Sequence, residues 1–414
     1  MNDAAPRTHD LVIVGGGLVG ASLALALEPL GLDVALVDAA PAGEMPAVFD
    51  ERSLSFAEAT VNALDALGVM PLLRAAGGPI RRIVINRAGD FGQARLEAER
   101  YGRTEFGRVV VARDFGHALE ARLDAMRGLT RYRPARLVGT SLDGISRRVM
   151  VQTPDGVVEL AAKLVVGADG TTSALRDALG IRTDATDYGH TLFVARLRTE
   201  RAPDGTAYER LTDDGPTALL PRADRHYGLV HGVADDEADA VDALDEGAFL
   251  ARLQLGLGWR HGRLLACGAR SRYPGRRVIA KSTTAPRAVL VGNAAQTIHP
   301  LGAQGFNLGL RDALTLAEEV ASAMSGGPEA IGSDTMLVRY AERRVEDRRR
   351  TLAFSDRLLR VGTARGALVR PLRSAALLAL DHPSWLQAWL VGGARGYRGD
   401  VPALCRGNDG RRSA

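Results

Sequence analysis

At both ends of this chain, short runs of aliphatic and β-branched residues alternate with segments of helical period. Residues 10–14 and 32–37 read as buried strands around a helix at 21–30, and the second strand ends at Asp38. Residues 53–67 place Leu54, Ala57, Val61, Leu64 and Ala66 at helical spacing, with Gly68 as the stop. Residues 108–125 repeat the strand-then-helix pattern, and residues 163–168 form a further buried strand. At 79–103 and from about 186 to 281 the pattern changes to alternation, clearest at 192–197, 218–221 and 227–233. That predicts an antiparallel sheet with one helix near 245–254. Residues 289–291 return to a buried strand, a helix runs from about 303 to 324, and residues 333–394 are mostly helical in pattern.

The expected organisation is an α/β domain assembled from 1–78, 104–185 and 282–332. A β-sheet domain from 79–103 and 186–281 is inserted into it. A helical region (333–396) and a flexible tail (397–414) complete the chain.

Composition narrows the function classes. A chain of 414 residues with 46% hydrophobic and 25% charged residues is an ordinary globular composition, long enough for two connected domains. No apolar run reaches the roughly 18–20 residues that span a bilayer, and the N-terminus lacks a signal-peptide core, so a cytoplasmic location is expected. Cys267 and Cys405 give neither a disulfide framework nor metal-ligand spacing, so no metal is expected. The 53 basic and 49 acidic residues are spread along the chain. The densest basic run, residues 339–350, interleaves Glu342, Glu346 and Asp347 at helical spacing, which reads as a solvated helix face rather than a nucleic-acid patch.

The first chemical motif is Gly15-Gly-Gly-Leu-Val-Gly20 between a strand and a helix. Gly15 permits the tight turn, Gly17 a close backbone approach to a pyrophosphate, and Gly20 close helix–strand packing. The helix start then faces the phosphates with free N–H groups and its positive dipole end. Asp38 lies 38 − 20 = 18 residues beyond the last glycine, where a carboxylate accepts ribose hydroxyls. The motif does not choose between FAD and NAD.

Three later segments bear on that choice: Val165-Val-Gly-Ala-Asp-Gly170 with Arg176 beyond it, Gly292-Asn-Ala-Ala-Gln-Thr-Ile-His-Pro300, and Gln304-Gly-Phe-Asn-Leu-Gly-Leu-Arg-Asp312. With these the chain resembles the para-hydroxybenzoate-hydroxylase-like flavin monooxygenases from about residue 8 to 395. The resemblance implies a Rossmann-like FAD-binding domain with an inserted antiparallel β-sheet substrate domain and a helical C-terminus. It places Asp169 near FAD and the nicotinamide donor, and puts Gly292-Asn293 where the wider family has Gly-Asp against the ribityl chain. Asn293 keeps an acceptor there without the charge.

That asparagine, and residues 49–56 with Arg52, are similar to the ubiquinone-biosynthesis hydroxylases that act on polyprenyl-methoxyphenol. The same resemblance gives Arg52, Arg113 and Asn307 cofactor-binding roles. It implies NAD(P)H as reductant, O2 as co-substrate, and oxygen transfer to a phenolic ring from a flavin C4a-hydroperoxide; a hydroxylase of a small soluble aromatic compound and a non-catalytic FAD-binding subunit of a biosynthetic complex are the alternatives. Gly302 and Gly305 would bring the loop close to the flavin ring, with the helix N-terminus stabilising negative charge on reduced flavin. Ala303 stands where related sequences often carry glycine.

His299 and Pro300 are the catalytic candidates. His299 either takes the phenolic proton or packs behind the loop, and an arginine-assisted water or bulk solvent could take the proton instead; Pro300 contributes its carbonyl or its shape. Near the C-terminus Trp385, Leu386, Trp389 and Leu390 form a stripe. It is either core packing or a docking surface for the inner membrane or sister enzymes of quinone biosynthesis.

Overall fold

The computed structural model describes residues 6–44, 50–364, 369–382, 385–397 and 399–407. Phe49, and the side chains of Trp385, Leu386, Trp389 and Leu390, lie outside what is described. The chain opens with β1 (Arg7–Val14), α1 (Leu18–Leu27) and β2 (Val34–Val37). A small sheet joins β3 (Ser53–Ala57), β4 (Gly78–Pro79) and β7 (Gly107–Val111), with α2 (Glu58–Ala66) between β3 and β4. The hairpin β5 (Arg82–Arg87) and β6 (Gln93–Glu97) leaves it for another sheet. After α3 (Ala112–Asp124) come β8 (Leu129–Tyr132), β9 (Arg136–Asp143), β10 (Ser146–Thr153), β11 (Gly156–Gly167) and α4 (Ala174–Ala178).

Next come β12 (Thr183–Thr199), β13 (Thr206–Thr212), β14 (Gly215–Pro221) and β15 (Tyr227–Ala234). The helices α5 (Ala238–Asp242) and α6 (Glu246–Leu257) precede β16 (Leu264–Cys267) and β17 (Ser271–Ala280). The chain returns through β18 (Thr284–Ala285), β19 (Ala288–Leu290) and β20 (Gln296–Thr297). It ends in α7 (Gln304–Met324), α8 (Asp334–Thr363), α9 (Val369–Asp381) and α10 (Trp385–Ala394).

The first large sheet runs β18-β19-β11-β1-β2-β8, with β19, β11, β1, β2 and β8 all parallel. Alternate residues of β1 face opposite cores. Leu11 and Ile13 pack with α1, α3 and α7, whereas Val12 and Val14 pack with Val149 and Val151 of β10. The second runs β20-β17-β12-β15-β14-β13-β5-β6 and is antiparallel except where β13 meets β5. Its outer face is closed by α5 through Ala238 and Val241 and by α6 through Phe249 and Leu253.

Three sequence expectations change. The helix expected over 53–67 is half strand: residues 53–57 pair antiparallel with β7, so Leu54 and Phe56 share one face, and only Glu58–Ala66 is helical. Tertiary pairing outweighs the helical spacing there. The tail expected from 397 is packed as far as 407. Tyr397 Oη accepts a hydrogen bond from Asn62 at 3.0 Å, and Cys405 is buried against α2. The basic run on α8 is not simply a solvated face, since Arg344 and Asp347 on it are buried.

Candidate active site

Parallel pairing brings the glycine motifs together. Val14, Gly167 and Leu290 lie in one row at the C-terminal edge of β1, β11 and β19. The turns carrying Gly15, Asp169 and Gly292 therefore leave the sheet side by side, at the edge where open α/β sheets bind ligands. Gly15 has φ +108°, and a Cβ on Gly20 would lie 1.9 Å from the Gly15 carbonyl oxygen. Gly17 is the N-cap of α1, whose first-turn N–H groups are open to an anion. Asp38 is 8% exposed, and its Oδ1 accepts the Ala40 N–H at 3.0 Å. Burial raises its pKa. Its Oδ2 sits so close to Gly16 that any Cβ there would collide with it.

The second and third motifs are tied to each other by side chains. Asp169 accepts from Ser173 Oγ at 2.5 Å and from the Leu175 N–H at 3.1 Å, which fixes the turn ahead of α4. Arg176, buried, donates to the carbonyls of Thr171 (3.0 Å) and Ala294 (3.2 Å), and the Thr171 and Thr297 hydroxyls are 2.8 Å apart. The Gly292-Asn293 turn also packs on the first motif: a Cβ on Gly292 would come within 2.9 Å of Val19, and one on Gly309 within 3.0 Å of the Gly292 Cα. Asn293 is exposed beyond that turn.

A loop then enters α7. The Ala303 N–H donates to the Pro300 carbonyl at 2.7 Å, closing a turn with Gly302 at φ +74°. Pro300 is exposed, and its carbonyl is engaged in that turn. A Cβ on Gly305 would meet nothing nearer than Ile298 at 3.9 Å. Protein packing therefore does not require a glycine at this position.

His299 is 1% exposed. Its Nδ1 accepts the Leu301 N–H at 3.1 Å, so its proton is on Nε2, which donates to His190 Nε2 at 2.7 Å. The Nδ1–H of His190 faces the Tyr188 carbonyl at 3.3 Å. Burial and the neighbouring His190 push the His299 pKa down to about 3. Both nitrogens are engaged, so the imidazole presents no free lone pair to the loop.

Asn307, expected among the cofactor contacts, uses its whole side-chain amide within the protein. Oδ1 accepts from the Ala57 N–H (3.0 Å) and Thr60 Oγ1 (2.7 Å), and Nδ2 donates to the Ser55 and Ala303 carbonyls. Its side chain anchors the start of α7 to β3 instead. Arg52 pairs with Asp50 at 3.0 Å and stacks 5.0 Å from the Tyr273 ring of β17, linking the segment before β3 to the second large sheet. Arg113 is an exposed guanidinium at the start of α3, paired with Glu51 at 2.9 Å.

The motifs did not reveal the ions behind this edge. Asp312 Oδ2 accepts the Gly292 N–H at 3.2 Å, and its Oδ1 accepts from Arg344 at 2.8 Å. Arg344 and Arg311 both donate to Asp347 at 2.7 Å. The opposing wall was equally unread. On the inner face of the second sheet, Ile85, Glu209, Ala218, Val230 and Val194 form one cross-strand row. Leu211, on the same face, packs against Leu301 and Leu359.

The groups present suit FAD: a helix start and a buried carboxylate for its nucleotide half, and an exposed turn and an open glycine for its ring half. Among the described residues no His, Cys, Asp and Glu side chains cluster to hold a metal ion, and no helix is long and apolar enough to cross a membrane.

The FAD binding domain family model matches residues 8–355. The chain is 32% identical to ubiquinone hydroxylase UbiL of Rhodospirillum rubrum, over 98% of this chain and 94% of that protein. It is 31% identical to 3-demethoxyubiquinol 3-hydroxylase of Escherichia coli, over 82% and 86% respectively. In fold it is similar to p-nitrophenol 4-monooxygenase PnpA of Pseudomonas putida, with a TM-score of 0.73 at 17% identity, covering 95% of this chain and 99% of that one. These matches, and the sheet edge that gathers the glycine motifs, make the chain a member of the FAD-dependent aromatic-ring hydroxylases of ubiquinone biosynthesis, within the para-hydroxybenzoate-hydroxylase-like flavin monooxygenases.

Proposed function

We propose that this enzyme hydroxylates the ring of a polyprenylated methoxyphenol, using NAD(P)H and O2. The convergence of the turns at Gly15, Asp169 and Gly292 on one sheet edge, facing the loop at 300–305, carries this reading. The UbiL and 3-demethoxyubiquinol 3-hydroxylase likenesses supply the substrate class.

In this reading Gly15, Gly17 and Gly20 cradle the pyrophosphate, Asp38 accepts from the ribose, and Arg52 and Arg113 bring positive charge to the nucleotide. Asp169 holds the turn beside the flavin, and Asn293 accepts from the ribityl chain. Gly302 and Gly305 let the ring approach α7. When bound, FAD supplies the redox and oxygen-transfer chemistry, while the protein orients the phenol and excludes water. His299 acts as a positioning residue, holding the Leu301 amide, and Pro300 contributes the turn. The domain division at 1–78, 104–185 and 282–332 against 79–103 and 186–281 belongs to the same proposal.

A greasy tail has to reach the site from a membrane. Helix α9, which exposes Leu372, suits contact with the cytoplasmic face of the inner membrane or with sister enzymes of the pathway.

The test is turnover by purified, FAD-loaded protein, with product identified by mass spectrometry. Substrate-dependent NAD(P)H oxidation with one oxygen added to a prenylated methoxyphenol is expected. Efficient turnover of a small charged aromatic, with none of the prenylated phenol, would sink it.

A further inference from the structure

We infer that Glu209 is the general base that takes the proton of the phenolic hydroxyl. This rests on the phenol-substrate reading above. Glu209 lies at the middle of β13, with Ile85 opposite it on β5 and Ala218 opposite it on β14. Val230 and Val194 continue the row across β15 and β12, so the wall offers one carboxylate in a strip of aliphatic side chains.

The face turned toward the loop is fixed by its neighbours. Tyr208 and Leu219 point to the outer core, whereas Leu211, two residues on from Glu209, packs on Leu301. The Gly302 N–H lies near enough to the Glu209 carboxylate to favour its ionised form, which places the carboxylate beside the loop at 300–305. Its Oε1 is buried with no hydrogen-bond partner among the described residues. A buried acceptor without a partner costs about 1–3 kcal/mol, a cost that a substrate O–H removes on binding. Burial also pushes the Glu209 pKa up to about 8, so its ionised form, the one able to take a phenolic proton, predominates above about that pH. His299, the other candidate, has no lone pair to spare.

In this step the phenolic O–H bond breaks and its proton moves to Glu209 Oε1. The electron pair stays on the phenolate and, delocalised into the ring, forms the new carbon–oxygen bond to one atom of O2. The ring C–H proton moves to the carbonyl oxygen as aromaticity returns. Glu209 releases its proton to the other oxygen atom, which takes one more and leaves as water. NAD(P)H supplies two electrons and one hydrogen as hydride, and solvent supplies one proton; these two hydrogens complete the water and the hydroxyl formed on the ring.

The experiment compares wild type with E209Q and E209D in their FAD-loaded forms, using 2-prenyl-6-methoxyphenol as probe. Ultraviolet difference titration reads phenolate formation on binding, and rapid-mixing turnover reads kcat against pH. Wild type is expected to show bound phenolate at least one pH unit below the ionisation of the free probe, near 10 for a phenol. E209Q is expected to bind the probe as neutral phenol and to lose kcat by about 10²-fold, recovering as pH approaches that ionisation. E209D, which keeps the carboxylate, should restore part of the phenolate signal. Flavin stoichiometry and thermal unfolding of each variant check the fold. If E209Q retains the wild-type phenolate signal and pH profile, or if E209D loses as much as E209Q, Glu209 is not the base. If wild type neither binds nor hydroxylates the probe, the substrate reading fails and this assignment fails with it.

Discussion

His190 and His299 meet Nε2 to Nε2 at 2.7 Å, one from the substrate-side sheet and one from the loop that enters α7. Only one of the two nitrogens can carry the proton, and the Leu301 N–H on His299 Nδ1 decides that it is His299. Protonating either ring would place two donors face to face in a buried site. The unfolded chain binds a proton on each imidazole near pH 6.5, while burial and His190 hold His299 down to about 3. Stability from this pair is therefore complete above about pH 6.5 and is lost as pH falls toward 3. Between pH 6.5 and 4, His299 alone accounts for about 3 kcal/mol. Urea denaturation of wild type and H299N over that range is the check, with a shallower pH slope expected for H299N. Identical slopes would show that the pair does not titrate as described.

Behind the Gly292 turn, Arg344 and Asp347 are 1% and 0% exposed at their side chains, and their partners Arg311 and Asp312 are as deeply buried. The adjoining arginines hold the Asp347 carboxylate down to about 2 despite its burial. Truncating one member of such a cluster leaves uncompensated charge and typically costs about 3–5 kcal/mol. R344M should lose stability on that scale. It should also weaken FAD retention, because Arg344 holds Asp312, which in turn holds the Gly292 N–H. Chemical denaturation and the flavin-to-protein ratio after gel filtration measure the two effects. Retention of FAD at full occupancy in a destabilised R344M would separate the ion cluster from the cofactor turn.

The contrast between these residues and the glycine motifs shows what the sequence makes legible. Gly15, Gly20 and Asp38 are readable because strand, turn and helix follow one another within about 30 residues, and each local period declares itself. Helix α6 and the alternating strands β12, β14 and β15 are readable for the same reason. His190, Glu209 and Asp347 are not. Their partners lie 109 residues away in His299, 93 in Gly302 (302 − 209) and 36 in Arg311. Those distances close only when the second sheet docks on the loop and α8 docks on α7. The helical spacing at 53–57 misled because alternation over five residues satisfies both periods, and the pairing with β7 decides. Asn307 shows the converse limit: a motif marks a residue as needed at the site without saying whether its side chain faces a cofactor or the protein.

Asp38 has an Oδ2 that accepts from no protein group among the described residues, at the end of β2 beside the glycine turn. A hydrogen bond to a charged acceptor contributes about 1.5–3 kcal/mol, so D38A should weaken FAD binding by about 10–100-fold. D38N keeps a neutral acceptor and should lose less. Because burial raises the Asp38 pKa, the ionised form is disfavoured without a ligand, and D38N apoprotein should be no less stable than wild type at neutral pH. Flavin fluorescence quenching on titration of apoprotein gives the affinities. Equal affinity in D38A would remove Asp38 from the ribose site.

Ala303 has φ +51° at the N-cap of α7, a left-handed conformation that costs an L-residue about 1–2 kcal/mol. Its N–H closes the Pro300 turn, and its carbonyl accepts from Asn307, so the backbone cannot relax without undoing both. A303G removes the Cβ strain but gives the unfolded chain more freedom, worth about 0.4–1 kcal/mol in the opposite sense. The expected net result is a stabilisation of about 0.5–1 kcal/mol, read as a higher denaturant midpoint at an unchanged m value. The Pro300 turn and the start of α7 keep their geometry, so FAD affinity should stay within twofold of wild type. A clear loss of stability in A303G would mean that the methyl group packs favourably enough to outweigh the backbone strain, and that alanine was selected here for contact rather than tolerated in place of glycine.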